Sequence, residues 1–285
     1  MKKTIKYFFE ATIIYFFFIL AKILGLSLSR VFFSFVFKKI GPFIKSNKIS
    51  KKNLLQFSNR LDNKKINKIL SDMWANYGMT FIEYIFLRKF RNENLHIEIK
   101  GGEKLDDIRK NNKPVIFVSG HFANFELMSM EITKREIKLA TIYRPLNNYF
   151  LNPFMEYLRR KFVCKNQIKK GRLGVKNAIE FIKRNHSIAL MIDQRVSEGN
   201  KINFFNKDAY TTTLPAQLAI RYNLKIVPIF IKRDKNNFFQ MEVYDPIDIA
   251  SFKDKIVLTN KLNQILEKMI IKNPGQWIWT HDRWK

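Results

Sequence analysis

Ala11 to Ser29 is a nineteen-residue stretch carrying one charge, Lys22. A transmembrane helix needs roughly 20 apolar residues. A lysine near the bilayer centre costs about 2.5–3.5 kcal/mol on insertion scales. One tilted span is therefore admissible, and a helix or helical hairpin half-sunk in one leaflet fits nearly as well. Arg30 interrupts again, and apolar character resumes at Val31–Phe37. Two other readings compete, a cleaved signal peptide and a buried core helix. Against the first, no clear small-x-small site follows the stretch. From Lys38 to Lys68 there are ten Lys/Arg and one Asp. Basic residues just past an apolar segment favour the cytoplasmic face and attract anionic head groups; the competing reading is an ordinary solvated helix face. The chain divides on this basis into an anchor at 1–40 and a single domain at 41–285.

Composition narrows the partners. The 285 residues hold 52 Lys+Arg against 24 Asp+Glu, a net charge of +28. That biases the chain toward polyanions: nucleic acid, an anionic membrane or an acidic protein. A nucleic-acid binder is disfavoured, because no zinc-finger or RNP-type spacing exists and the aromatics cluster in apolar blocks. One cysteine, Cys164, excludes an internal disulfide framework. Four widely spaced histidines argue against a dedicated zinc site.

Beyond residue 70, short apolar runs alternate with helical patterns. Strands are expected at His96–Ile99, Val115–Ser119, Leu139–Tyr143, Ser187–Ile192, Lys225–Ile231 and Phe239–Val243. Helices are expected at Ile66–Phe90, Asn124–Thr133, Asn148–Lys161, Leu173–Arg184, Pro215–Tyr222 and Asp254–Ile271. The alternation argues an α/β fold with a central, mostly parallel sheet flanked by helices. Val115–Ser119 is apolar on both faces, as a strand covered on both sides requires.

His121 follows that strand after a single glycine, Gly120. Asn124 is placed to cap a helix, and Glu126 then falls in its first turn. On one helix His121 and Glu126 would lie about 140° apart, and on one strand they would face opposite ways. They meet only if the chain turns between them, as a strand–loop–helix junction does. Glu126 would then fix the imidazole's tautomer and stabilise its protonated form. The competing reading is a structurally satisfied histidine. Arg144 and the pair Asp193-Gln194 close two further strands, where open α/β sheets build sites.

The segment Gly120-His121-Phe122-Ala123-Asn124-Phe125-Glu126 resembles the signature of the bacterial lipid A biosynthesis (late) acyltransferases, within the lysophospholipid acyltransferase superfamily. Tyr143–Asn148, Gly171-Arg172, Asp193-Gln194, Phe204-Phe205, Thr211–Ala219 and Gln276–Trp284 resemble further blocks of that family, in order along nearly the whole chain. The resemblance implies transfer of an acyl chain from a thioester, usually on acyl carrier protein, to a hydroxyl of a lipid A precursor at the inner membrane. It implies His121 as general base and Glu126 as its orienting carboxylate, with no covalent enzyme intermediate, no metal and no cofactor beyond the acyl thioester co-substrate. Asn124, Arg144, Arg159, Arg160, Asp193 and Gln194 are the candidates for binding substrate, the arginines through anionic groups. An acidic carrier and an anionic lipid both suit a chain of this charge. An acyltransferase acting on another membrane lipid, and a membrane scaffold without activity, stay open. Trp277, Trp279 and Trp284 read as packing or membrane-interface residues.

Overall fold

The computed structural model describes residues 2–44, 46–58 and 61–285; Lys45 and Arg60 of the basic run lie outside them. Helix α1 (Lys2–Ile40) carries the apolar stretch but is not one rod. Gly25 breaks it with φ 73° and ψ 171°, a conformation open to a residue without Cβ. Ser29 Oγ donates to the Ala21 carbonyl at 3.0 Å across the break. The Phe17 and Phe33 rings lie 5.5 Å apart, whereas the same separation on an unbroken helix would be about 24 Å. The N-terminus is thus a helical hairpin. Phe9, Phe16, Ile19, Ile23 and Val31 on its outer side are each 60% exposed or more. Phe18, Ala21 and Phe33 on its inner side join the core of the rest of the chain.

Helices α2 (Ser46–Phe57), α3 (Asn63–Glu83) and α4 (Leu87–Asn92) follow. The single helix expected at Ile66–Phe90 is broken by a 3-10 turn at Tyr84–Phe86. The sheet strands are β1 (Ile97–Lys100), β2 (Ile116–Ser119), β3 (Leu139–Tyr143), β4 (Asn166–Lys169) and β5 (Ser187–Met191). A hairpin of β6 (Asn200–Phe204) and β7 (Lys207–Thr211) stands apart, and β8 (Ile226–Arg233) and β9 (Phe239–Val243) complete the set. Seven strands form the main sheet in the order β1-β9-β8-β2-β5-β3-β4. Every pairing is parallel except β8 with β9. This is the mixed α/β, mostly parallel architecture that the alternating pattern predicts.

Helices cover both faces. Phe117 of β2 points into one layer with α6 (Glu126–Lys134), α1 and α5 (Gly102–Asn111). Ile116 and Val118 point into the other, with α8 (Arg172–Lys183), α9 (Leu214–Tyr222) and α10 (Lys255–Lys272). All four β2 residues are buried. Helix α7 (Asn152–Leu158) starts later than expected, because Pro153 lacks an N–H and fits only a first turn. It runs into a π-helical turn at Arg159–Val163.

Arg30 is not a defect in the apolar run. Its Nε donates to Glu83 Oε1 at 2.7 Å. Glu83 has no exposed surface. Arg233 of β8 grips both its oxygens, at 3.0 Å from Nη2 to Oε2 and closer from Nη1 to Oε1. Asn124 Nδ2 adds a fourth donor at 2.9 Å. Burial pushes the Glu83 carboxyl up, but the two guanidiniums outweigh it and hold the group below the usual range. One carboxylate therefore ties the hairpin, the sheet and the loop after β2 together. Glu83→Gln would leave two buried guanidiniums around a neutral amide. It is expected to lower unfolding stability by about 3–5 kcal/mol, read by chemical denaturation in detergent; an unchanged midpoint would contradict the role.

Candidate active site

Strands β2 and β5 are parallel neighbours, with Ser119 opposite Met191. Ile192 N–H donates to the Ser119 carbonyl at 2.9 Å, so pairing continues to the strand ends. The same register carries His121 opposite Asp193. Asp193 Oδ1 lies 2.8 Å from His121 Nδ1, and Oδ2 accepts the His121 backbone N–H at 2.8 Å. Trp277 Nε1 also donates to Oδ2, at 2.8 Å. Asp193 is 2% exposed. Burial alone would raise its carboxyl, but the His121 charge and these hydrogen bonds hold it down at about 2. An ionised carboxylate only accepts, so Nδ1 carries the proton and Nε2 is left as the basic nitrogen. The His121 side chain is 18% exposed, and Nε2 has no protein partner among the described residues.

The loop that follows is tightly bent. A Cβ on Gly120 would sit 2.7 Å from the Phe122 ring. Ala123 adopts φ 43°, a left-handed conformation that costs a non-glycine residue roughly 1–2 kcal/mol. Two contacts hold it there. Thr80 Oγ1 donates to the Ala123 carbonyl at 2.9 Å, and Ala123 N–H donates to the Gln276 carbonyl at 3.0 Å. Asn124 is turned inward to Glu83 and does not cap the helix with its side chain; α6 begins at Glu126, with Phe125 before it.

Glu126 is where the structure departs from the expected pairing. Its Oε1 accepts from the Tyr84 hydroxyl at 2.6 Å and from Arg159 Nε at 2.8 Å. Arg159 Nη2 donates to the same hydroxyl at 2.8 Å. The bend at Ala123 directs the first turn of α6 toward the 3-10 turn and the π-helical turn, so Asp193, not Glu126, is the carboxylate on His121. Burial would lower the Arg159 pKa, and Glu126 and Tyr84 outweigh it and raise it. Burial raises the Tyr84 pKa, and neighbouring Glu126 adds to the rise, so the phenol stays a donor.

The structure thus forms two separate clusters from the expected residues, His121 with Asp193 and Glu126 with Arg159. Arg144 and Arg160 are exposed, and Gln194 is half-buried beside Asp193. Arg160 Nη1 donates to the Lys165 carbonyl at 3.5 Å. Trp277 and Trp279 are buried, at 2% and 0% exposure, which removes the membrane-interface reading for both. Trp277, Tyr84 and Glu83 are site-building residues that the sequence did not single out as such. His281 stands near as well: its Nδ1 accepts the Arg195 N–H at 3.4 Å, and burial lowers its pKa. Cys164 is buried, which pushes its thiol up to about 11 and leaves it unreactive. Among the described residues, no group of three or more His, Cys, Asp or Glu is placed to hold a metal ion.

Comparison with known proteins adds an independent finding. The family model described as bacterial lipid A biosynthesis acyltransferase matches residues 2–285. The chain is 27% identical over 187 residues to lipid A biosynthesis acyltransferase 2 of Shigella flexneri, covering 63% of this chain and 58% of that protein. It is 24% identical over 245 residues to a lipid A biosynthesis acyltransferase of Haemophilus influenzae, covering 83% of this chain and 76% of that one. The crystal structure of the 1-acyl-sn-glycerophosphate acyltransferase of Thermotoga maritima superposes with a TM-score of 0.42 at 15% identity, covering 88% of this chain and 96% of that one.

The lowered Asp193 carboxyl makes stability depend on acid. Its folded-state value of about 2 lies below the ordinary 3.8. Its contribution is therefore present above about pH 4 and lost as pH falls through about 2. Asp193→Asn is expected to remove that part of the acid-induced loss, measured as denaturation midpoints across this window. An identical pH dependence in the two proteins would contradict it.

Proposed function

The chain belongs to the bacterial lipid A biosynthesis acyltransferase family, and from that premise we propose that it transfers a fatty acyl chain from acyl carrier protein to a hydroxyl of a lipid A precursor. His121 Nε2 takes the proton of the acceptor hydroxyl. The oxygen attacks the thioester carbonyl, and a tetrahedral oxyanion forms. Collapse of the oxyanion makes the new ester and expels the thiolate, which recovers the proton from the imidazolium. No covalent enzyme intermediate arises. Asp193 is the positioning residue: it holds the productive tautomer and stabilises the imidazolium. Glu126 is a second positioning residue, acting through the Arg159 guanidinium. Arg144 and Arg160, both exposed, are the surface arginines for anionic groups of the lipid or carrier.

The observation that carries this reading is the His121–Asp193 contact at the ends of two adjacent parallel strands, with Nε2 free of protein partners among the described residues. That is the arrangement a general base needs. The hairpin's exposed apolar side supports seating it in the inner membrane, and the basic residues that follow support a catalytic domain on the cytoplasmic side. An acidic carrier protein complements the net charge of +28.

His121→Ala is expected to keep its fold and lose about 10²–10⁴ in transfer rate. The direct assay is acyl transfer from carrier protein to a lipid A precursor, alongside mass spectrometry of lipid A from cells with and without the gene. Normal turnover by folded His121→Ala would overturn the mechanism. An unchanged lipid A with another membrane lipid altered would overturn the acceptor.

A further inference from the structure

Lys22 interrupts the apolar run, and nothing in the chemistry above uses it. Its Nζ lies 4.8 Å from the Phe86 ring centroid. Arg88 is exposed nearby, on α4. Among the described residues neither makes an ion pair. Both line one groove of about 580 Å³, between the first arm of the hairpin, the turn before α4 and α7. That volume lies within the roughly 300–1,000 Å³ of ordinary ligand pockets. Phe18, Ile19, Ile85 and Leu158 supply apolar walls. The outer wall belongs to the hairpin arm whose Ile19 and Ile23 are 63% and 78% exposed. The inner wall adjoins the Glu126 cluster along the chain: Ile85 follows Tyr84, and Leu158 precedes Arg159, the two residues that hold Glu126.

An apolar groove open to solvent is unfavourable. Lys22 is exposed like Arg88, and with the hairpin seated in a bilayer its ammonium would meet acyl chains without a counter-ion. One ligand chemistry answers both. We propose that this groove seats one acyl chain of a phosphate-bearing membrane lipid, with the phosphate held by Lys22 and Arg88. The lipid enters sideways from the bilayer in which the hairpin lies. The acidic carrier instead approaches from the soluble side. The inference rests on the membrane seating of the hairpin, and it does not require acyl transfer to be the reaction.

The test reads binding, so its failure is distinguishable from failure of the proposed reaction. Phe162→Trp, on the groove's wall, places a fluorescent reporter in it. The full-length protein is reconstituted in phosphatidylcholine nanodiscs and titrated with phosphatidic acid brominated in one acyl chain. The quenching of the native tryptophans, measured without the substitution, is subtracted. Brominated phosphatidic acid should quench the reporter at lower mole fraction than brominated phosphatidylcholine. The double variant Lys22→Gln/Arg88→Gln should weaken that quenching by about thirtyfold, the effect of two membrane-proximal cations. Phe154→Trp is the second reporter in the same groove, used if Phe162→Trp does not fold. Equal quenching by the two lipids, or a preference that survives loss of both cations, would overturn the proposal.

Discussion

One buried carboxylate organises the site. Asp193 takes an imidazole, a backbone amide and an indole on its two oxygens. None of these contacts depends on a long flexible side chain. The backbone amide and the imidazole belong to the same residue, and parallel register places that residue opposite Asp193. The indole comes from the C-terminal segment, which is anchored independently where Phe122 bridges Trp277. The imidazole is therefore oriented by the sheet itself. Burial would ordinarily neutralise such an acid, yet the donors around it keep it charged.

A second buried carboxylate connects that site to the anchor. Glu83 joins Arg30 of the hairpin, Arg233 of β8 and Asn124 of the bent loop. Two guanidiniums share one carboxylate, and a net positive charge stays in the core. Arg30 Nη2 and Asn124 Oδ1 are buried without hydrogen-bond partners among the described residues. Such an arrangement is demanding, because every partner must stay in place for the others to be tolerated. It also explains why a hairpin built for an apolar setting carries an arginine: the residue faces the protein.

Much of the fold was legible in the residues. Alternating patterns located most of the main-sheet strands within a residue or two, and Val115–Ser119 revealed its burial by being apolar on both faces. Strand β4 escaped because Asn166-Gln167-Ile168-Lys169 has one buried residue at a sheet edge. The β6–β7 hairpin escaped because its turn is Phe205-Asn206, both with positive φ, and not the usual Asn-Gly or Asp-Gly. At the site, His121 and Asp193 each stood out at the end of a strand. Their contact did not, because it requires that β2 and β5 be neighbours, which is a property of strand order. Glu126 drew attention by its spacing from His121. That spacing fixes the length of the connection but not its direction, and the left-handed Ala123 sets the direction. Trp277 reaches Asp193 across 84 residues of chain, and Glu83 reaches Asn124, Arg30 and Arg233 across 41, 53 and 150, distances at which no local pattern points to them.

Whether Asp193 works through His121 is open to one direct measurement. Acyl-transfer rates would be compared for His121→Ala, Asp193→Ala and the double variant, each verified as folded. If Asp193 acts through His121, the double variant transfers no more slowly than His121→Ala alone, as expected of groups that work as a unit. Losses that multiply in the double variant would show that Asp193 works independently of the imidazole, and the assignment would fail.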